Sequence, residues 1–470
     1  MAENTDGIVI LGGGLAGLSA GYALSRAGRR VRLVEAGATI GGLARTIVHG
    51  GFRFDLGGHR IHTESPRIET FMRELLGDEL RPVARASRIF LRGRYFDYPL
   101  QPLNAVRGLG VLTTGAILLG YAKARAAACV RRAPLVSLQD WVVAHFGRPL
   151  FEIYFREYSE KVWGIPCERI AGEWIAQRIH GLSLGAAMRR ALFKQRGGTL
   201  PTLTENFLYP RLGIGRIADK LSEGMAPNGA VLTNARVTRI RHSGFRVRSV
   251  TVRHGNRVRE FRGDEFIATI PLPQVVQLLH PSAPDDVLAA AAGLRHRDLV
   301  IVAVMVNRPR ATDLTWIYFP EKQYPFGRVH EPTNWSPHLA PPGATLLVAE
   351  HFCCRGDATW GTRDGELIAA TVAQFEQLGF FRREEVLDGV VLRIPAAYPL
   401  FEVGYETRCD AIHAYLNRFS NLRVAGRGGL FRYYNMDRAI ESGIGVAESI
   451  LQREPQSAPE AQPMPARKRA

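Results

Sequence analysis

The chain has 470 residues, 46% of them hydrophobic, with 61 Lys plus Arg against 44 Asp plus Glu and a formal charge of +17. It can bury a large core in about two domains, and it lacks a 20-residue uncharged apolar run, so no spanning helix is expected. The basic residues are mostly scattered and form no recognition module, which favours anionic small molecules over nucleic acid as partners, and Cys129, Cys167, Cys353, Cys354 and Cys409 lack ligand spacing, so no metal is expected.

The first elements are a strand, Gly7 to Leu11, a turn, Gly12-Gly13-Gly14-Leu15-Ala16-Gly17, a helix over Leu18 to Ala27 that Gly28 stops, and a second strand, Val31 to Val34, closed by Glu35. Gly12 permits the tight turn, Gly14 lets a pyrophosphate approach the main chain, and Gly17 lets helix and strand pack closely. Free N–H groups and the helix dipole stabilise an anion at such a helix start. Glu35, 18 residues past Gly17, can accept from ribose hydroxyls and would repel a 2′-phosphate, so a dinucleotide other than NADP is expected. The first strand starts within about seven residues, too few for a signal peptide, and a cytoplasmic protein is expected.

A second glycine pair follows in Gly41-Gly42-Leu43-Ala44-Arg45, then Asp55-Leu56-Gly57-Gly58-His59-Arg60-Ile61-His62-Thr63. More backbone N–H groups and a cation suit a diphosphate. Residues 101–205 read as helical, with 3.6-residue apolar spacing over Val136 to Phe146 and Leu150 to Trp163. Within them, Gly108 to Ala122 is apolar and flanked by Arg107, Lys123, Arg125, Arg131 and Arg132. It is either a buried helix or an interfacial one that reaches anionic lipid, leaving membrane association open. Arg236 to Arg262 alternates as strands with a solvated basic face. Glu265 to Pro271, Val300 to Val306, Trp316 to Phe319 and Leu346 to Ala349 are expected strands. Asn421 to Arg427 reads as a strand and turn. Arg432-Tyr433-Tyr434-Asn435-Met436-Asp437 leads into a helix through Ala439, Ile440 and Gly443, and Arg453 to Ala470 has a disordered composition.

The two glycine-rich blocks and the C-terminal block together resemble the FAD-binding superfamily of amine oxidases, protoporphyrinogen oxidases, phytoene desaturases and UDP-galactopyranose mutases. Gly58-His59-Arg60-Ile61-His62-Thr63, Lys161-Val162-Trp163-Gly164-Ile165-Pro166, Arg178-Ile179 and Tyr433-Tyr434-Asn435-Met436-Asp437 are similar to mutase motifs, with Asn435 replacing an acid. Phe207 to Gly215 is more similar to the protoporphyrinogen oxidase type. The resemblance implies an α/β (α+β overall) chain. It also implies that residues 1–100, 206–270 and 401–452 form a discontinuous, Rossmann-like FAD domain of the GR2 type, and 101–205 with 271–400 a mixed helix and sheet substrate domain.

It further implies FAD contacts from Gly12, Gly14, Leu15, Ala16, Gly17, Glu35, Ala36, Gly42, Leu43, Ala44, Arg45, Gly57, Gly58, His59, Val237, Gly426, Arg427, Asp437, Ala439 and Ile440. His59, Arg427 and Tyr433 are the implied catalytic residues, and His62, Trp163, Arg178, Tyr398, Tyr405 and Tyr433 are implied to meet substrate. The expected function is dehydrogenation of a C–N, C–O or C–C bond in a small or amphipathic anionic metabolite by hydride transfer to flavin N5. A redox-neutral mutase acting on a sugar nucleotide or glycoside and a non-catalytic flavin protein are the alternatives.

Overall fold

In a computed structural model of the chain, residues 6–98, 108–128, 134–173, 206–226 and 228–453 are described. Arg178, much of the expected helical stretch and the tail from 454 lie outside the described residues.

Five short strands form a parallel sheet in the order Leu422–Val424, Glu265–Ala268, Ile8–Leu11, Val31–Val34, Gly229–Leu232. The first strand is apolar throughout and fully buried, as a central strand covered on both faces must be. Helix Leu15–Arg26 lies against one face, and the C-terminal helix Met436–Arg453 crosses it. The crossing is close because Gly443 sits at the contact, where a Cβ would stand 2.1 Å from the Ala16 carbonyl oxygen. The basic stretch folds as the antiparallel strands Ala235–Ser243, Arg246–His254 and Arg257–Phe261. Val237, Ile240, Val247, Val250 and Val252 point inward while Arg236, Arg239, Arg246 and Arg253 are exposed.

A seven-stranded sheet makes the second body, in the order Val386–Pro399, His296–Val306, Thr345–Cys353, Arg328–His330, Trp316–Tyr318, Ser87–Leu91, Arg94–Asp97. The strands at 87–91 and 94–97 are thus hydrogen-bonded to the sheet of the later segment. The strand His296–Val306, paired on both sides, is buried on both faces. Val300, Val302 and Val304 pack with Phe375 of helix Asp364–Gln377. Leu299, Ile301 and Met305 pack with Phe52, Phe54 and Leu56, from the hairpin Thr46–His49/Phe52–Asp55. That second contact sets the Gly57-Gly58-His59 segment against the sheet.

Helix Val111–Ala128 carries the apolar run, and it is not buried: Ile117 and Ala124 are its only buried residues. No helix among the described residues is long and apolar enough to cross a membrane.

Candidate active site

At the amino-terminal turn, Gly12 has a φ of +111°, and a Cβ there would meet Thr269 Oγ1 at 2.5 Å. A Cβ on Gly17 would meet the Gly12 carbonyl oxygen at 2.1 Å, so both positions admit only glycine. Gly14 precedes helix Leu15–Arg26 with no side chain capping the turn, which leaves the first N–H groups directed outward. The second glycine pair is brought against the first. The Gly41 N–H donates to the Gly13 carbonyl at 2.7 Å, and a Cβ on Gly42 would lie 3.1 Å from Gly14 Cα.

Glu35 accepts the Gly13 N–H and the Gly37 N–H, each at 2.7 Å, and a carboxylate keeps further lone pairs for hydroxyls. Arg45 Nη1 reaches Thr39 Oγ1 at 3.2 Å, whereas its buried Nε has no hydrogen-bond partner among the described residues. Burial lowers the Arg45 pKa, against the nearby Glu35, which raises it. Leu43 and Ala44 continue this turn. Ala36 is exposed beside Glu35, and Val237 is buried in the strand whose first residue, Ala235, donates to the Glu35 carbonyl at 2.8 Å.

The C-terminal block closes on this cradle. Gly426, with a φ of +78°, has no room for a Cβ, which would lie 2.6 Å from the Ala16 Cβ. Its N–H donates to Ser442 Oγ at 3.0 Å, and Ser19 Oγ donates to the Ile440 carbonyl at 3.1 Å. Asp437 and Ala439 begin the last helix, so its N-terminal end faces the cradle. One Asp437 oxygen is buried with no hydrogen-bond partner among the described residues. Asp437 and His62 line one narrow crevice with Arg60, Ile61, Met436 and Ile440. A glycine-walled cradle, a buried guanidinium nitrogen without a partner and an inward helix start fit a bound dinucleotide diphosphate.

Beyond Gly57 lies a wall of packed side chains, carried in part by strands of the second sheet. His59 Nδ1 is 3.1 Å from the Gly57 carbonyl; as donor there, the ring leaves Nε2 to accept. Burial first, then the cations Arg427 and Arg328, push its pKa down to about 4, against the Gly57 hydrogen bond. Arg427 is sandwiched between the rings of Tyr398 at 4.7 Å and Tyr433 at 4.9 Å. Arg328 packs on Phe352 at 4.9 Å and Trp316 at 5.4 Å, and donates to Tyr398 Oη at 2.8 Å and to Glu350 Oε2 at 2.5 Å. The fully buried Glu350 also accepts the Gly58 N–H at 3.2 Å. A Cβ on Gly58 would overlap the Trp316 ring at 1.7 Å. Trp316 stacks on His330, which stacks in turn on Trp335. His296 packs edge-on to Phe431, and burial is the main cause of its pKa falling to about 4.

The structure therefore brings together His59, Tyr398, Arg427 and Tyr433 from the sequence-derived set. Trp163 is buried one ring further back, edge-on to Tyr398 at 6.4 Å and Phe401 at 5.9 Å, and Tyr405 packs on Phe401 and Phe431. Sequence reasoning missed Arg328, Glu350, His330 and His296. The available signal was charge inside apolar strands, as in Leu346-Leu347-Val348-Ala349-Glu350-His351, because buried charges persist when paired.

A sequence model described as flavin containing amine oxidoreductase matches residues 15–451. The chain belongs to that family. Its cofactor is FAD and it is an FAD-dependent oxidoreductase. Phytoene dehydrogenase of Streptomyces griseus is 26% identical over 506 residues, covering 95% of this chain and 92% of that protein. A crystal structure of reduced UDP-galactopyranose mutase superposes with a TM-score of 0.79 at 22% identity, covering 95% of this chain and 94% of the other. A candidate protoporphyrinogen oxidase from Exiguobacterium sp. 255-15 superposes with a TM-score of 0.74 at 19% identity, covering 96% and 100%. These two likenesses share a fold with this amine oxidoreductase family member.

Proposed function

We propose that this oxidoreductase dehydrogenates a C–N, C–O or C–C bond in a small or amphipathic metabolite that carries an anionic group. One observation supports the reading above others: two guanidinium groups, Arg328 and Arg427, are held on aromatic rings around an uncharged His59. Arg328 is paired with the buried carboxylate of Glu350, and Arg427 brings a second guanidinium to the same wall, a donor set that suits an anionic group. Aromatic faces beside each guanidinium exclude water and strengthen that attraction.

Bound FAD supplies the hydride acceptor. Arg427 holds the anionic group, and Tyr398 and Tyr433 fix the guanidinium plane. His59, neutral near pH 7, accepts a hydrogen bond at Nε2 from the hydroxyl or amine next to the reacting carbon and orients it. With a pKa of about 4 it positions that group rather than storing its proton. Glu350 fixes the Gly58 main chain and Arg328 together. Anaerobic mixing of the yellow enzyme with paired anionic and neutral analogues tests the reading: flavin bleaching is expected with anionic members, and bleaching by the neutral members alone refutes it.

A second reading, a redox-neutral mutase of a sugar nucleotide, draws support from the Tyr433-Tyr434-Asn435-Met436-Asp437 block beside Arg427. Incubating dithionite-reduced enzyme with UDP-galactopyranose decides it, because furanose formation with the flavin still reduced belongs to the mutase alone.

A further inference from the structure

Helix Val111–Ala128 is turned inside out for a helix of a water-soluble domain. Its inward side is made from small residues: a Cβ on Gly120 would lie 2.6 Å from Pro149 Cδ, and a Cβ on Gly147 would lie 2.5 Å from the Gly120 carbonyl carbon. Ala124 and the single large residue Ile117 complete that side. Among the described residues, the large aliphatic side chains face solvent: Leu112 is 91% exposed, Val111 78%, Leu119 59% and Leu118 39%. At 100° per residue these four fall on one face with Gly115, Ala116 and Ala122. Exposed Lys123 and Arg125 lie at the two edges of that face, one turn beyond Leu119.

Charge identifies what covers this face. Between Asp97 and Asp140 the sequence carries Arg107, Lys123, Arg125, Arg131 and Arg132 and not one acidic residue. Two copies placed face to face would set Lys123 and Arg125 of one near those of the other, whereas an anionic bilayer neutralises them and takes up the aliphatic side chains. Basic side chains at the borders of an apolar stripe can extend to headgroups while their stems stay in the acyl region. Surface potential adds to the attraction for each cation near the membrane.

We infer that Val111–Ala128 is an interfacial helix that seats this oxidoreductase on anionic phospholipid, with Leu112 and Leu119 inserted and Lys123 at the headgroups. The inference stands apart from the choice of substrate, and its readout is physical attachment rather than turnover.

Vesicle flotation of the full-length, FAD-loaded protein tests it, using phosphatidylcholine vesicles with and without 40% phosphatidylglycerol. The wild type is expected to float with the anionic vesicles and far less with neutral ones, and 0.5 M salt should reduce its flotation. Leu112→Ser/Leu119→Ser should weaken partitioning at least tenfold with flavin absorbance and melting temperature unchanged, and Lys123→Gln should weaken it on anionic vesicles alone. Three results overturn the inference. The first is no flotation of the wild type. The second is a wild-type dimer that the double variant turns into a monomer, which assigns the face to a second copy. The third is a double variant that melts several degrees lower, which assigns the face to the chain's own packing.

Discussion

Replacing Glu350 by Gln preserves its volume and an acceptor for the Gly58 N–H but removes the charge facing Arg328. The pair is separated by 2.5 Å, with Glu350 fully buried and the Arg328 side chain 16% exposed. At an effective dielectric constant of about 20 the gross attraction at that distance is ~7 kcal/mol, much of which offsets the cost of taking both ions out of water. Truncating one partner leaves the other charge buried and uncompensated, so Glu350→Gln is expected to cost about 3 kcal/mol. Arg328→Met/Glu350→Gln should recover all but ~1 kcal/mol of that loss, since no buried ion then remains unpaired. Urea unfolding of the wild type, both single variants and the double variant, followed by tryptophan fluorescence and by flavin release, gives the coupling energy. A single-variant cost below ~1 kcal/mol, or a double variant less stable than either single one, would show that the pair does not hold this wall together.

Three further outcomes are expected. Arg427→Gln should weaken sulfate binding, read as perturbation of the flavin spectrum, at least tenfold or ~1.4 kcal/mol; unchanged titration would remove Arg427 as the anion anchor. Gly443→Ala should force the first and last helices apart at the Ala16 carbonyl and cost about 1–3 kcal/mol or more, with the 450 nm to 280 nm absorbance ratio reporting lost FAD; full occupancy would contradict the close contact. His330 and His351, 2% and 3% exposed, have pKa values pushed by burial to about 3 and about 4. Since the unfolded chain binds those protons first, stability is complete above pH ~6.5. It then falls by up to ~1.4 kcal/mol per pH unit per histidine as pH drops toward 4. His330→Phe should flatten that acid limb, and an unchanged limb would acquit His330.

The parts of this enzyme legible from sequence are those in which local chemistry leaves few options. Gly12, Gly14 and Gly17 announce a close approach that side chains forbid, and Glu35 follows at a fixed spacing, so the cradle could be drawn before any tertiary contact was known. The apolar runs Glu265 to Pro271, Val300 to Val306 and Leu346 to Ala349 mark strands that the structure bounds at 265–268, 296–306 and 345–353. Arg328 and Glu350 were not, because their meaning depends on Gly58, 292 positions from Glu350. No periodicity links an arginine on one strand to a main-chain N–H in another body. Helix Val111–Ala128 failed as a sequence problem for a different reason: apolar residues occur all around it, so periodicity alone could not separate the buried reading from the interfacial one. The inward side was decided by Gly120 against Pro149 and Gly147, a fit between backbones that composition does not record.

The Gly443 contact also orders events during synthesis. The phosphate cradle emerges from the ribosome early, yet the helix that seals it begins only at Met436. At ~5–20 residues per second the nascent chain waits roughly 20–80 s between the two. A cradle closed from both sides therefore exists only after the chain has been made through Gly443.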